Sequence, residues 1–246
     1  MALLEVRGVQ AGYGRTEVLR GVELVVPEGA TVVLLGANGA GKTTLLKTVA
    51  GLLPVTAGEI RFRGAPITDV PSHRRARAGI CLIPEGRGIF RRLSVRENLV
   101  VQSDPRDSSA AIDRAVSLFP ALGQRLEQEA GTLSGGQQQM VALARAFVVD
   151  APLVLADELS MGLAPIIVDD IFAAFETLKR EGRSLLLVEQ YVERALTVAD
   201  YVYILGKGTV QFIGEPAECT SGGVFARYLD GSGSAGAAEL EHTGGK

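Results

Sequence analysis

The stretch Gly36-Ala37-Asn38-Gly39-Ala40-Gly41-Lys42-Thr43-Thr44 limits what this chain can be more than any other. It fits the pattern G-x-x-x-x-G-K-[ST], and its flanks decide what that pattern means. Ahead of it, Thr31-Val32-Val33-Leu34-Leu35 is a β-branched apolar run that predicts a buried strand. Behind it, Leu45, Leu46, Val49 and Leu52 recur at helical spacing. A strand, a glycine-rich turn and a helix in that order make a phosphate-binding loop. Gly36, Gly39 and Gly41 let the backbone bend so that successive N–H groups converge on phosphate oxygens. The helix starting near Lys42 adds the positive end of its dipole. Lys42 can reach the β- and γ-phosphates, and the Thr43 hydroxyl can ligate Mg²⁺. Asn38 and Thr44 complete the candidate nucleotide-binding residues of the loop. The stretch predicts a protein that binds a nucleoside triphosphate.

With 246 residues the chain can build one large domain with a substantial core. Its net charge of −3 argues against general binding of nucleic acid. Of the two cysteines, Cys81 lies in the apolar run Ile80-Cys81-Leu82-Ile83 and reads as a small buried side chain. Neither a disulfide framework nor a metal cluster is indicated, so a reducing cytoplasm is the expected setting. The opening MALLEVRGVQ has no signal-peptide character, and no apolar run reaches bilayer length. A role at the membrane is therefore expected to come through a partner.

Residues 3 to 30 alternate loosely, with turn signals at Gly14 and Pro27-Glu28-Gly29, and predict short antiparallel strands. Gly58 to Gly64 predicts another strand after the loop helix. Tyr13, in Ala11-Gly12-Tyr13-Gly14, is either a surface tyrosine or a ring that stacks on a base. Gly79 to Glu85 reads as a strand running into a loop. From Arg74 to Arg96 seven arginines face a single acid, Glu85. They read either as a solvated basic face or as a patch with a partner. Residues 109 to 128 predict helix in an inserted lobe. Ser134 stands where it can cap a helix carrying Met140, Leu143, Ala144 and Phe147, with the Gly135 and Gly136 N–H groups free at its positive end. Pro152 to Glu158 is an apolar strand ending in two carboxylates. Strand alternation points them to opposite sides. Asp157 is then assigned to metal and Glu158 to polarising the attacking water. Pro165 opens a further helix that stops at Gly182, and Ser184–Glu189 and Tyr201–Leu205 are two more buried strands. The small, polar stretch from Gly231 predicts disorder.

The phosphate loop, Leu133-Ser134-Gly135-Gly136-Gln137 and the strand ending Asp157-Glu158 follow in one order. Together they resemble the ATP-binding subunits of ABC transporters over residues 1 to about 230. The resemblance implies an α/β fold with a mixed core sheet, an antiparallel β subdomain and an inserted helical subdomain over roughly 88–150. It implies two subunits enclosing two ATPs, each held by the Lys42 loop of one and by Ser134, Gly135, Gly136 and Gln137 of the other. It also makes Tyr13 the adenine-stacking residue. HRRARAGI, PEGRGIFRRLSVRENL, GLAPIIVDDIF and LLLVEQYVERAL are similar to the ATPase subunits of branched-chain amino-acid importers, with urea and amide importers close by.

Three positions depart from the wider family pattern: Glu85 in place of glutamine, Ala164 in place of Asp, and Gln190 in place of the histidine that meets the γ-phosphate. All three are expected of the branched-chain group. Neither His73 nor His242 can replace Gln190 by position. Leu159, where proline usually follows the catalytic Glu158, has no physical account at the level of sequence. The resemblance implies an ATPase with ATP and Mg²⁺, catalysis by Glu158 and Gln190, and metal at Thr43 and Asp157. It implies a peripheral protein on the cytoplasmic face of the membrane. Its expected partners are permease subunits, a second ATPase subunit and, indirectly, a solute-binding protein.

Overall fold

Period-two patterning governs the first part of the chain, which forms a long hairpin. The computed structural model describes residues 1–86, 88–101, 103 and 108–220. The tail expected to be disordered lies outside them. β1 (Ala2–Tyr13) and β2 (Thr16–Pro27) pair antiparallel and alternate buried with exposed side chains. Each has 12 residues, longer than the short strands expected. Gly8 (φ 57°) and Gly21 (φ 73°) lie inside the strands without ending them, the first at a register irregularity between Val6 and Val9, and Gly14 (φ 59°) turns the hairpin.

β3 (Thr31–Leu35) is buried at every position and runs into α1 (Lys42–Val49). The helix stops short of Leu52, contrary to the spacing. Gly51 takes φ 75°, and the Leu52 N–H turns back to the Lys47 carbonyl at 2.8 Å, leaving Leu52 59% exposed. β4 (Val55–Phe62) returns to pair with β1, and β5 (Ala65–Pro66) closes a sheet of order β2-β1-β4-β5. α2 (Ser72–Arg77) precedes β6 (Ile80–Ile83). Within α2, Arg75 is no part of a solvated basic face. Its buried guanidinium donates to the Thr48 and Val49 carbonyls at the end of α1 (2.9 and 2.8 Å) and to those of Thr68 and Val70 (both 2.7 Å).

The helical layer comprises α3 (Val95–Val100), α4 (Ser108–Leu118), α5 (Pro120–Gly123) and α6 (Gly135–Val148). The helix expected over 109–128 breaks at Phe119, because Pro120 disfavours helical backbone in the residue before it. There follow β7 (Leu153–Asp157), α7 (Pro165–Arg180), β8 (Ser184–Val188), α8 (Val192–Val198), β9 (Tyr201–Gly206), β10 (Thr209–Gly214) and α9 (Pro216–Thr220). The second sheet has the order β10-β9-β3-β8-β7-β6, parallel apart from β10. A mixed core sheet, an antiparallel sheet and a helical layer match the expected fold class.

Each strand of the core sheet feeds two cores. Val33, Leu35, Ile83, Val154 and Leu187 pack under the helices, while Val32, Leu34, Leu155, Leu186 and Val188 pack under α1 and the antiparallel sheet. Burial on both faces is what a near-continuous apolar run in a parallel strand requires. Because β3, β6, β7 and β8 run parallel, the segments after Leu35, Ile83, Asp157 and Val188 emerge along one edge. A crevice at the carboxyl ends of such strands is where α/β sheets bind ligands.

Candidate functional site

At that edge lies a cleft of about 500 Å³. Asn38, Gly39, Gly41, Lys42, Thr43 and Thr44 form one wall, and Glu85, Glu158 and Gln190 come from three other loops. The loop folds as its glycines allow. At Gly36 a Cβ would stand 2.2 Å from the Leu205 carbonyl oxygen, so only glycine lets the loop pass β9. Gly41 caps α1 at φ 108°, and the first bond in the helix runs from the Leu45 N–H to the Gly41 carbonyl at 2.9 Å. The N–H groups of Lys42, Thr43 and Thr44 therefore have no acceptor within the helix and are available to an anion.

Lys42 is 7% exposed and donates to the Gly36 and Ala37 carbonyls at 2.8 and 3.2 Å. Its amine stands 3.8 Å from Glu158 Oε1. Gln190 Nε2 donates to Glu158 Oε2 at 3.1 Å, and Thr43 Oγ1 donates to Asp157 Oδ1 at 3.1 Å. Burial above all pushes the Asp157 carboxyl from its ordinary 3.8 up to about 6; the Thr43 hydroxyl opposes this, and Glu158 and Glu85 add to it. A bound cation would lift that penalty. A hydroxyl and a carboxylate are the hard oxygen donors that suit magnesium beside phosphates.

The two carboxylates diverge for a reason other than strand alternation. β7 ends at Asp157, and Glu158 is a left-handed turn residue at φ 50°, its N–H on the Val188 carbonyl at 2.8 Å. The turn aims Glu158 at Lys42. Leu159 acquires its account here as well: it is 2% exposed and belongs to the core under the helices.

Ser134, Gly135, Gly136 and Gln137 do not line the cleft. Ser134 caps α6 as expected, its Oγ accepting the Gln137 N–H at 3.3 Å while Gln137 Oε1 accepts the Ser134 N–H at 3.1 Å. The Gly135 and Gly136 N–H groups have no acceptor within the helix. A Cβ on Gly136 would lie 2.9 Å from Ile167 of α7, so the glycine also serves close packing. Tyr13 sits at the hairpin end, 49% exposed and outside the cleft lining. Val18 and Met161 line the cleft although no motif marks them.

Glu189 is the buried group that motif reading passed over. It is 3% exposed and accepts the Ser160 hydroxyl at Oε2. Its only signal in the sequence is a carboxylate closing the apolar run Ser184–Val188. Burial pushes its carboxyl from the ordinary 4.5 up to about 7, against the lowering effect of its Ser160 bond. A raised folded-state pKa means the folded chain keeps a proton that the unfolded chain has released. The resulting stability is fully present below about pH 4.5 and is lost as pH rises through about 7. Its size is on the order of 3 kcal/mol. Denaturant melts of the nucleotide-free chain should fall across that window, and Glu189→Gln should flatten this part of the profile. Parallel profiles for the two proteins would contradict the assignment.

The chain is similar to known proteins in sequence and in fold. The family model described as ABC transporter matches residues 19–160. The high-affinity branched-chain amino acid transport ATP-binding protein BraG of Pseudomonas aeruginosa is 44% identical, over 82% of this chain and 88% of that protein. The lipopolysaccharide export system ATP-binding protein LptB of Escherichia coli is 37% identical, over 89% of this chain and 92% of that protein. Among solved structures, the ADP conformation of MJ1267, an ATP-binding cassette of an ABC transporter, superimposes with a TM-score of 0.75 at 26% identity, over 87% of this chain and 91% of that one. On motifs, fold and relatives together, this chain belongs to the ABC transporter family, as one of its ATP-hydrolysing subunits.

Proposed function

We propose that this ATPase energises the import of branched-chain or related amino acids through a membrane permease. The observation that carries the reading is the likeness to the Pseudomonas importer subunit, at 44% identity against 37% for the lipopolysaccharide exporter subunit. Glu85, Ala164 and Gln190 add to it as the combination expected of the branched-chain group.

In this reading the Lys42 loop receives the β- and γ-phosphates, and Thr43 and Asp157 hold Mg²⁺. When bound, the ion would offset negative charge on the phosphates. Glu158 orients the attacking water and accepts its proton, while Gln190 holds the Glu158 carboxylate from its other oxygen. An amide does this without titrating near neutrality, as a histidine would. Ser134, Gly135, Gly136 and Gln137 close the cleft of a second ATPase subunit, which explains two anion sites on separate surfaces of one chain. Met161 and Ile166, 46% and 70% exposed after Glu158, are apolar surface that such a subunit would cover.

No helix among the described residues is long and apolar enough to cross a membrane. Attachment therefore falls to the permease. A groove of about 360 Å³, lined by Leu52, Ala76, Leu82 and Pro84 with His73 and Arg145, opens where the chain runs on into residues 85–99, the stretch at which the family resemblance puts permease docking. This supports docking there.

The test is the whole transporter, with permease, both ATPase subunits and solute-binding protein, reconstituted in vesicles. Leucine, isoleucine or valine should raise ATP hydrolysis several-fold and accumulate in the lumen. Hydrolysis that responds to urea or an amide instead would move the substrate within the importers. A response to lipopolysaccharide alone would replace import by export.

A further inference from the structure

Glu189 has no place in the hydrolysis scheme above, yet it is buried between the two segments that carry it out. On one side is the turn Glu158–Ser160, on the other the end of β8 and Gln190. The Ser160 hydroxyl donates to Glu189 Oε2. The N–H groups of Leu159, Ser160 and Gln190 also lie around the carboxyl and favour its charged form, although none closes a hydrogen bond to Oε1. Ser160 is fully buried, so this contact is sealed from water. Leu159 contributes both its core side chain and an N–H that a proline at the same position would lack.

What this contact holds is a backbone that does not hold itself. Glu158 is one of four described non-glycine residues at positive φ, a conformation that strains a side chain of its kind. Such a conformation persists only where its surroundings impose it. Two contacts from the end of β8 and the residue after it impose it: the Glu158 N–H on the Val188 carbonyl, and Ser160 on Glu189. The Gln190 side chain, one residue past Glu189, then meets the Glu158 carboxylate at 3.1 Å. Loosening the Ser160 contact would free the turn to relax and move the Glu158 carboxylate relative to the phosphates. Lys42, Thr43 and the loop glycines would be untouched.

We propose that Glu189 is a positioning residue for hydrolysis. By binding the Glu158–Ser160 turn to the end of β8, it fixes the Glu158 carboxylate and the Gln190 amide in one arrangement facing the γ-phosphate. The proposal rests on the reading of Glu158 as the group that activates water. It extends that reading to a clamp that position and burial define and that no motif announces. Displacements on the order of 1 Å at a reacting centre can cost on the order of a hundredfold in rate, so the clamp should govern turnover far more than binding.

The experiment compares wild type with Glu189→Ala, Glu189→Gln, Ser160→Ala and Glu158→Gln, measuring kcat, KM and the affinity for a labelled ATP analogue. Glu189→Ala should lower kcat by about 10- to 100-fold while analogue affinity stays within about threefold. Ser160→Ala, which removes one oxygen and leaves little cavity, should lower kcat in the same direction and less. Glu189→Gln can still accept the Ser160 hydroxyl through its amide oxygen, so it should recover most of the rate. Wild-type kcat in Glu189→Ala, or equal losses of kcat and analogue affinity in both Glu189→Ala and Ser160→Ala, would overturn the proposal. So would a Glu189→Gln protein as slow as Glu189→Ala, since the charge itself would then be required. Glu158→Gln separates the two levels. If it also turns over at the wild-type rate, the water-activating role of Glu158 fails; if it alone is slow, only the clamp fails.

Discussion

Lys42→Ala should abolish measurable ATP hydrolysis and weaken ATP binding at least tenfold. An ammonium has three donors; two are placed on the Gly36 and Ala37 carbonyls, at 2.8 and 3.2 Å. These bonds hold the side chain in the cleft while 93% of its surface is hidden, the remaining 7% being exposed. The third donor and the charge are left for the cleft, where Glu158 Oε1 stands 3.8 Å away. A nucleotide brings far more negative charge than one carboxylate, so the phosphates displace Glu158 as the partner of Lys42. A charge-assisted hydrogen bond is worth roughly 1.5–3 kcal/mol, which alone is about 10- to 150-fold in affinity. The loss in rate should be larger, because charge on the γ-phosphate oxygens and the leaving group redistributes during transfer and a fixed cation stabilises it without reorganising. Alanine also leaves the Gly36 and Ala37 carbonyls without their donor, so the loop itself loosens. Melting temperature and far-ultraviolet dichroism confirm that the variant is folded before its rate is read. Unimpaired turnover by a folded Lys42→Ala protein would rule out this cleft as the hydrolytic one.

What the sequence made legible was local. The strand Thr31–Leu35, the Ser134 cap, the Pro165 helix start and the Gly182 stop all rest on side chains acting within a few residues of themselves. The phosphate loop belongs to the same class, because its glycines act on their own backbone. What escaped depends on groups distant in the chain. Arg75 reads as one of seven arginines until its guanidinium is found on carbonyls 26 and 27 residues earlier. The Ser160–Glu189 contact spans 29 residues, and nothing in either local segment announces it. Strand alternation gives the wrong reason for the divergence of Glu158 from Asp157. The direction of Glu158 comes from a left-handed backbone held from β8, and no propensity reports a conformation that tertiary contacts impose. Leu159 is buried in the helical-side core and, unlike a proline, has an N–H beside the distant Glu189 carboxyl.

Glu158→Gln should cut ATP hydrolysis by a factor on the order of a hundred or more while leaving ATP binding intact, and the two effects together should trap a dimer. Glutamine keeps the size of glutamate and removes the charge, so the left-handed turn and the contact with Gln190 Nε2 at 3.1 Å can persist through the amide oxygen. What is lost is the ability to take the proton of the attacking water, and loss of a positioned general base costs about 10²- to 10⁴-fold. The groups that hold nucleotide are untouched: Lys42 keeps its two carbonyls and Thr43 keeps Asp157 at 3.1 Å. Removing the carboxylate 3.8 Å from Lys42 even frees that amine for phosphate. If each cleft is closed by Ser134 and Gly136 of a second subunit, uncleaved ATP holds both clefts shut. Size-exclusion chromatography should then find a dimer with ATP and a monomer with ADP, in this chain alone or in a mixture with its sister ATPase. Both mixtures are needed, because a heterodimer would leave the isolated chain monomeric whatever its nucleotide. A Glu158→Gln protein that hydrolyses at the wild-type rate would remove Glu158 from the chemistry. One that is slow, binds ATP and yet stays monomeric in both mixtures would remove the second subunit from the site, and the capped N-terminus of α6 would then be only a capped helix.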